Sequence, residues 1–201
     1  MKALLLIDVQ NDFMPGGKLA VSEGDQIVPV INGLQNQFDL VIASQDWHPA
    51  EHLSFARNHL RHKAFDQIEL NGLPQTLWPA HCVQGTEGAE FHPDLDSHRI
   101  AAIFRKGMNP DIDSYSAFYD NGHMQSTGLS GYLRELQVTT LYFTGLAADF
   151  CVYYSIQDAL KAGFQCVLIE DATRAIDPEN HEKQRQQLLA DGVAIIHSGE
   201  L

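Results

Sequence analysis

The sequence predicts a three-layer α/β/α domain built on a mainly parallel six-stranded sheet, Rossmann-like in class. Short apolar runs recur along the 201 residues, the first of them is apolar on both faces, and stretches with helical periodicity lie between several of them. Residues 1–201 are expected to form one domain, a length that suits a single hydrophobic core system.

Residues 3–9 (ALLLIDV) are apolar up to Asp8, as expected of a strand covered by helices above and below. A Pro- and Gly-containing loop at 14–17 follows. Ile27, Ile31, Leu34 and Phe38 then recur at spacings of four, three and four, one stripe of a helix. Residues 40–44 (LVIAS) read as the second strand and 100–104 (IAAIF) as the third. Leu129, Tyr132, Leu133 and Leu136 mark a second helical face, and 139–144 (TTLYFT) the fourth strand. Val152, Tyr153, Ile156 and Leu160 give a third stripe that stops near Gly163. Residues 166–169 (CVLI) are the fifth strand, and a polar segment carrying Leu188 and Leu189 leads to the sixth at 193–196 (VAII).

Thirteen Lys and Arg against 26 Asp and Glu give a net charge of −13 with His neutral. Such a body repels phosphate backbones and anionic headgroups, and no basic run offsets it. Neither nucleic acid nor a membrane surface is an expected partner. The apolar stretch at 3–7 is too short for a signal-peptide core, and no run approaches the roughly 18 residues of a spanning helix. Cys82, Cys151 and Cys166 form neither a CxxC nor a zinc-finger spacing. A cytoplasmic location with reduced thiols is expected. No motif specifies monomer or homo-oligomer.

Residues 46–99 interrupt the alternation, with no clean periodic element. They hold seven of the ten histidines (His48, His52, His59, His62, His81, His92 and His98), and Trp47, Phe55, Phe65 and Trp78 argue for order. A long excursion inside a compact domain is usually functional, so this segment is expected to build a site.

In open parallel sheets, ligands bind beyond the carboxyl ends of the strands. Four strands here end in reactive side chains: Asp8 after the first, Asp46 and His48 after the second, Lys106 after the third, and Cys151 after the fourth. A carboxylate after four aliphatics is either a loop cap or a base held near a cation. Lys106 is either a surface lysine or the cation that keeps Asp8 ionised and lowers a nearby thiol's pKa. Cys151 opens a helical stripe, so the helix dipole is expected to favour its thiolate, with Asp149 as the N-cap. Cys166 lies inside an apolar strand and reads as an inert packed thiol. Asp46 and His48 project from one face of an extended strand end, and His81 would complete a two-His, one-carboxylate metal site. On spacing alone, His52, His59 and His62 compete for that role, and solvated loop histidines are the plain alternative.

Taken together, the stretches at 5–21 (LLLIDVQNDFMPGGKLAV), 43–56 (ASQDWHPAEHLSFA), 77–85 (LWPAHCVQG), 104–118 (FRKGMNPDIDSYSAF) and 143–152 (FTGLAADFCV) resemble bacterial nicotinamidases. These belong to the isochorismatase-like cysteine hydrolases. The likeness runs in order from residue 1 to about 172, and DWHPxxHxSF with WPxHC is its most specific part.

The resemblance implies a catalytic triad of Asp8, Lys106 and Cys151, and a divalent metal (Zn, Fe or Mn) on Asp46, His48 and His81. His52 is a possible fourth ligand. It implies an oxyanion hole from the Ala147 and Cys151 amides, with a cis peptide at Leu146–Ala147. It places the substrate ring between Phe13 and Trp78, with Leu19 and Tyr115 nearby. Ala148 departs from the family pattern, where Thr is common. The implied reaction is hydrolysis of nicotinamide to nicotinate and ammonia through a Cys thioester, as in NAD salvage, with pyrazinamide a further expected substrate. The metal is expected to bind the pyridine nitrogen, with supply of the hydrolytic water as the alternative role. Two rival readings are an amidase for another small planar amide, and a non-catalytic metal-storing domain that would leave Lys106 and Cys151 without a role.

Overall fold

The computed structural model describes residues 1–201. Six parallel strands form the main sheet: β1 (Lys2–Ile7), β2 (Leu40–Asp46), β5 (Ile100–Lys106), β6 (Thr140–Leu146), β7 (Gln165–Arg174) and β8 (Ala194–Ile196). Their order is β5-β2-β1-β6-β7-β8, and every adjacent pair is parallel. The chain winds outward from β1 in one direction and then, from β6, in the other. The switch point therefore lies between β1 and β6, where a crevice opens beyond the strand ends.

The two-residue period of the central strand divides the core in two. Leu4 and Leu6 of β1 pack with Ile27, Ile31 and Leu34 of α1 (Ile27–Leu34) on one face. Ala3, Leu5 and Ile7 pack on the other with Leu129 and Leu133 of α2 (Leu129–Glu135), Ile156 of α3 (Tyr153–Lys161) and Leu188 of α4 (Pro178–Ala190). Both sets are buried, which is why β1 reads as an unbroken apolar run.

The fold departs from the sequence-based expectation in four places. Strands β2, β5 and β6 run two residues further, so Asp46 and Lys106 are the last residues of their strands and pair across β2 and β5. The fifth strand extends to Arg174. Within 46–99 there is a hairpin, β3 (Gln67–Leu70) and β4 (Leu73–Thr76), paired antiparallel. Its signal was present: Asn71 and Gly72 both sit at positive φ, 51° and 79°, as a two-residue turn between twisted strands requires. Finally, the polar segment before β8 is the longest helix. Asp177 caps it through the amides of Glu179 and Asn180, and Pro178 occupies its first turn. Only Leu188 of that helix is buried, so it carries no apolar stripe.

Candidate active site

Asp8 is the first residue past β1 and takes a left-handed conformation, φ 48°, which Asp tolerates better than most residues. Its Oδ1 accepts from Ser44 Oγ at 2.6 Å, and its Oδ2 lies 2.9 Å from Lys106 Nζ. Gly145 lets β6 approach this end of β1, because a Cβ there would lie 2.0 Å from the Ile7 carbonyl oxygen.

Lys106 is fully enclosed. Its ammonium sits 2.5 Å from Asp46 Oδ1, 2.9 Å from the Ser114 carbonyl oxygen and 3.4 Å from Cys151 Sγ. Burial disfavours its charge, but Asp46 and Asp8 outweigh that and raise its pKa well above the ordinary value. Burial likewise opposes ionisation of Asp46, and Lys106 with His48 overrides it, holding that carboxyl well below the usual range. Asp8 differs: burial raises its pKa by more than Lys106 lowers it, and Asp46 adds to the rise.

Cys151 lies in a single π turn, Ala148–Val152, that leads into α3. The expected depression of its pKa is not found. Enclosure pushes the thiol well above its ordinary value, and Lys106 only partly opposes this. The helix dipole and one ammonium do not replace the lost hydration. Asp149 also departs from expectation. It does not cap α3; its two oxygens accept from the amides of Ile176 and Asp177, at 2.9 Å each, tying the Cys151 turn to the segment that enters α4. The Leu146–Ala147 peptide bond is cis.

Asp46 uses its oxygens separately. Oδ1 faces Lys106, while Oδ2 lies 3.3 Å from His48 Nε2 and 3.7 Å from His81 Nε2. Each imidazole is oriented through its other nitrogen: His48 Nδ1 donates to the Gly107 carbonyl oxygen at 2.9 Å and His81 Nδ1 to that of Pro79 at 2.8 Å. A carbonyl only accepts, so both protons sit on Nδ1 and both Nε2 lone pairs converge with the carboxylate. Two imidazole nitrogens and one carboxylate oxygen, all within 4.8 Å of one another, are the donor set of a divalent metal site with open positions.

His52 is differently placed. Its ring nitrogen clusters with His48 and Asp113, not with Asp46 and His81. The Ser54 amide donates to its Nδ1 at 3.1 Å, so the proton of the neutral ring is on Nε2. Burial lowers its pKa to about 4, so the ring is neutral at neutral pH. That Nε2 and the Ser54 hydroxyl are buried without a protein partner. Buried polar atoms without partners beside His48 fit a site that takes an ion with its water. His59 is tied to the Leu53 carbonyl oxygen and His62 pairs with Asp66, both outside this cluster.

Gly107 leaves room for the His48 ring in this position. It sits at φ 67°, and a Cβ would lie 2.3 Å from His48 Cε1. Gly107→Ala should displace the His48 ring and weaken metal affinity by about 10–100-fold, the loss typical when a ligand's orienting partner is disturbed. Metal analysis after dialysis checks it; an unchanged metal content would mean that His48 is not held through Gly107.

One small pocket joins the parts. Phe13, Leu19, Trp78 and Tyr115 line it, as do Asp46, His48, His81, Ala147 and Cys151. Asp113, Phe150 and Ile176 line it too, and no sequence pattern singles them out. Gln10 is a further omission. Its side-chain amide donates to the Asp46 carbonyl oxygen and accepts from the Asp46 amide, both at 2.8 Å, continuing the β1–β2 ladder past the end of β1. A buried Gln two residues past Asp8 is the only sequence signal for it.

The isochorismatase domain model matches residues 2–200. A nicotinamidase of Acinetobacter baylyi is 51% identical over 197 residues, covering 98% of this chain and 92% of the relative. Among solved structures, an Acinetobacter baumanii nicotinamidase/pyrazinamidase superposes with a TM-score of 0.96 at 48% identity, covering 99% of this chain and 97% of that one. A Pyrococcus horikoshii pyrazinamidase solved with zinc gives a TM-score of 0.80 at 36% identity, covering 98% of each chain.

Proposed function

Because the chain belongs to the isochorismatase family, with nicotinamidases among its relatives, we propose that it is a metal-dependent amidohydrolase converting nicotinamide to nicotinate and ammonia. One observation carries this reading: a two-His, one-carboxylate metal set and a cysteine beside a carboxylate and an ammonium open into the same aromatic-walled cavity. A planar ring with a lone-pair nitrogen at one end and a carboxamide at the other spans those two groups. Pyrazinamide has the same outline and is a second substrate on this reading.

Cys151 Sγ attacks the carboxamide carbon as Asp8 takes the thiol proton. Lys106 keeps the charge on the pair from going uncompensated, whichever of the two carries it. The oxygen of the tetrahedral intermediate accepts from the Ala147 and Cys151 amides, and losing one such donor typically costs about 10²–10³-fold in rate. Asp8 returns the proton to the nitrogen, which leaves as ammonia. A nicotinoyl thioester remains on Cys151. Asp8 then deprotonates a water that hydrolyses it, restoring the thiol and releasing the acid.

Asp46, His48 and His81 would hold the divalent metal, with Zn, Fe and Mn all compatible with that donor set. When bound, it supplies a Lewis-acid anchor for the ring nitrogen. Phe13 and Trp78 flank the ring, and Leu19 and Tyr115 complete its walls. No helix is long and apolar enough to cross a membrane.

The thioester gives the test. Acid quenching during turnover, followed by peptide mass analysis, should find one pyridine-carbonyl group on Cys151 and none on Cys82 or Cys166. An adduct on another residue, or turnover with no adduct under conditions that trap thioesters, contradicts this chemistry.

A further inference from the structure

Asp113 is a carboxylate that the reaction above does not use, yet it lines the substrate cavity and is only 3% exposed. No lysine, arginine or histidine pairs with it. Its oxygens accept from the Ser114 amide at 2.8 Å and from Gln75 Nε2 at 3.0 Å. Gln75, itself buried on β4, also donates to the Tyr115 hydroxyl at 3.2 Å, so the hairpin arm fixes the carboxylate and a ring wall together. An enclosed carboxylate without a counter-ion is costly unless something offsets it, and a purely structural acceptor here could be a neutral amide.

The charge balance of the cavity shows what it offsets. Asp8, Asp46, Lys106 and a divalent cation on the metal set leave one positive charge in excess, wherever the proton shared by Cys151 and Asp8 resides. A ligand oxygen of Asp113 lies within 4.8 Å of ring nitrogens of both His48 and His52, beside that excess. Asp113 cancels it. The substrate is a neutral amide and is nearly indifferent to the change, whereas the product is a carboxylate at neutral pH and is not.

We propose that Asp113 is a specificity-determining residue that keeps the metal-loaded cavity electrically neutral, so that the neutral amide is admitted and the anionic acid product is released. This rests on the functional reading above. In an enclosed site, one unit of charge a few ångströms from the ligand changes anion affinity by about tenfold or more.

The test compares wild type with Asp113→Asn, which keeps the shape and an acceptor oxygen, both metal-loaded. Calorimetric titration uses nicotinate and a neutral ring of similar size, pyridine-3-methanol. For the Asp113→Asn variant the expected result is a nicotinate Kd about tenfold lower or more, with the neutral alcohol changed less than about threefold. The inhibition constant of nicotinate during turnover should fall in parallel. Equal shifts for the two ligands, or no shift for nicotinate, would overturn the inference. So would loss of metal from the variant, which would make Asp113 part of the metal's support instead. If the Asn variant does not fold, Asp113→Ser removes the same charge and is read in the same way. A wild-type protein that binds neither ligand contradicts the functional reading itself; wild-type binding with unchanged selectivity in the variant overturns only the role of Asp113.

Discussion

Cys151→Ala is expected to abolish amide hydrolysis, lowering kcat by about 10⁴-fold or more, while the protein stays folded and keeps its metal. The size follows from removing a nucleophile from a set that acts as a unit. Sγ lies 3.4 Å from Lys106 Nζ and within 4.8 Å of Asp8, whereas the Cys82 thiol hydrogen-bonds to the Gly88 carbonyl oxygen. Cys166 provides the control. Burial between β7 and α3 pushes its thiol up to about 12, and its only hydrogen-bond partners are backbone carbonyls. Cys166→Ser should therefore leave kcat within about twofold, since it only exchanges one small packed side chain for another. Rate measurements on both variants decide the matter. A large loss with Cys166→Ser and little with Cys151→Ala would reverse the roles of the two cysteines.

Lys106→Met is expected to be the most destabilising single change at the site as well as an inactivating one. It leaves Asp8 and Asp46 buried with no cation between them. Breaking a buried ion pair from one side costs about 3–5 kcal/mol, or a fall in Tm of about 6–20 °C for a chain of this size. The pH dependence has a definite sign. In wild type Asp46 is held well below its unfolded pKa, so its contribution is present above the unfolded value and is lost as pH falls towards the folded one. Without Lys106, burial and the neighbouring carboxylate push both acids upward, and protonation relieves them. The Tm deficit should therefore be largest at neutral pH and shrink towards pH 5. Calorimetric scans at several pH values check this; a deficit that grows on acidification would mean that Lys106 does not carry the charge balance of the pair.

The catalytic end of the sheet was legible because strands buried on both faces are apolar runs, and such runs end visibly where a polar residue appears. Asp8 ends the apolar run of β1 directly, Asp46 and Lys106 follow two residues after the expected ends of β2 and β5, and the parallel order brings all three to one rim. Cys151 could be separated from Cys166 by the same logic, one at a helix entrance and the other within a strand. The resemblance to nicotinamidases selected His81 from the competing histidines and added the aromatic walls, which no periodicity marks.

Other features depend on contacts that no local pattern encodes. Asp113 reaches the cavity through Gln75 of a hairpin 38 positions earlier. Asp149 looks like a helix cap in sequence, but the amides it satisfies belong to Ile176 and Asp177. The Cys151 pKa goes the other way from expectation because enclosure depends on the whole rim, whereas a dipole and a lysine can be read locally. Helix α4 went unseen because it buries one leucine, although Asp177 and Pro178 mark its start.

On this reading, Cys151 chemistry and the Asp46–His48–His81 metal set serve one reaction in one cavity. The most direct test is ammonia release from nicotinamide, measured on the purified protein, after chelation, and after return of Zn²⁺, Fe²⁺ or Mn²⁺ singly. Release that is lost on chelation and restored by at least one metal is the predicted result. No release under any condition, from folded protein with metal bound, would contradict it.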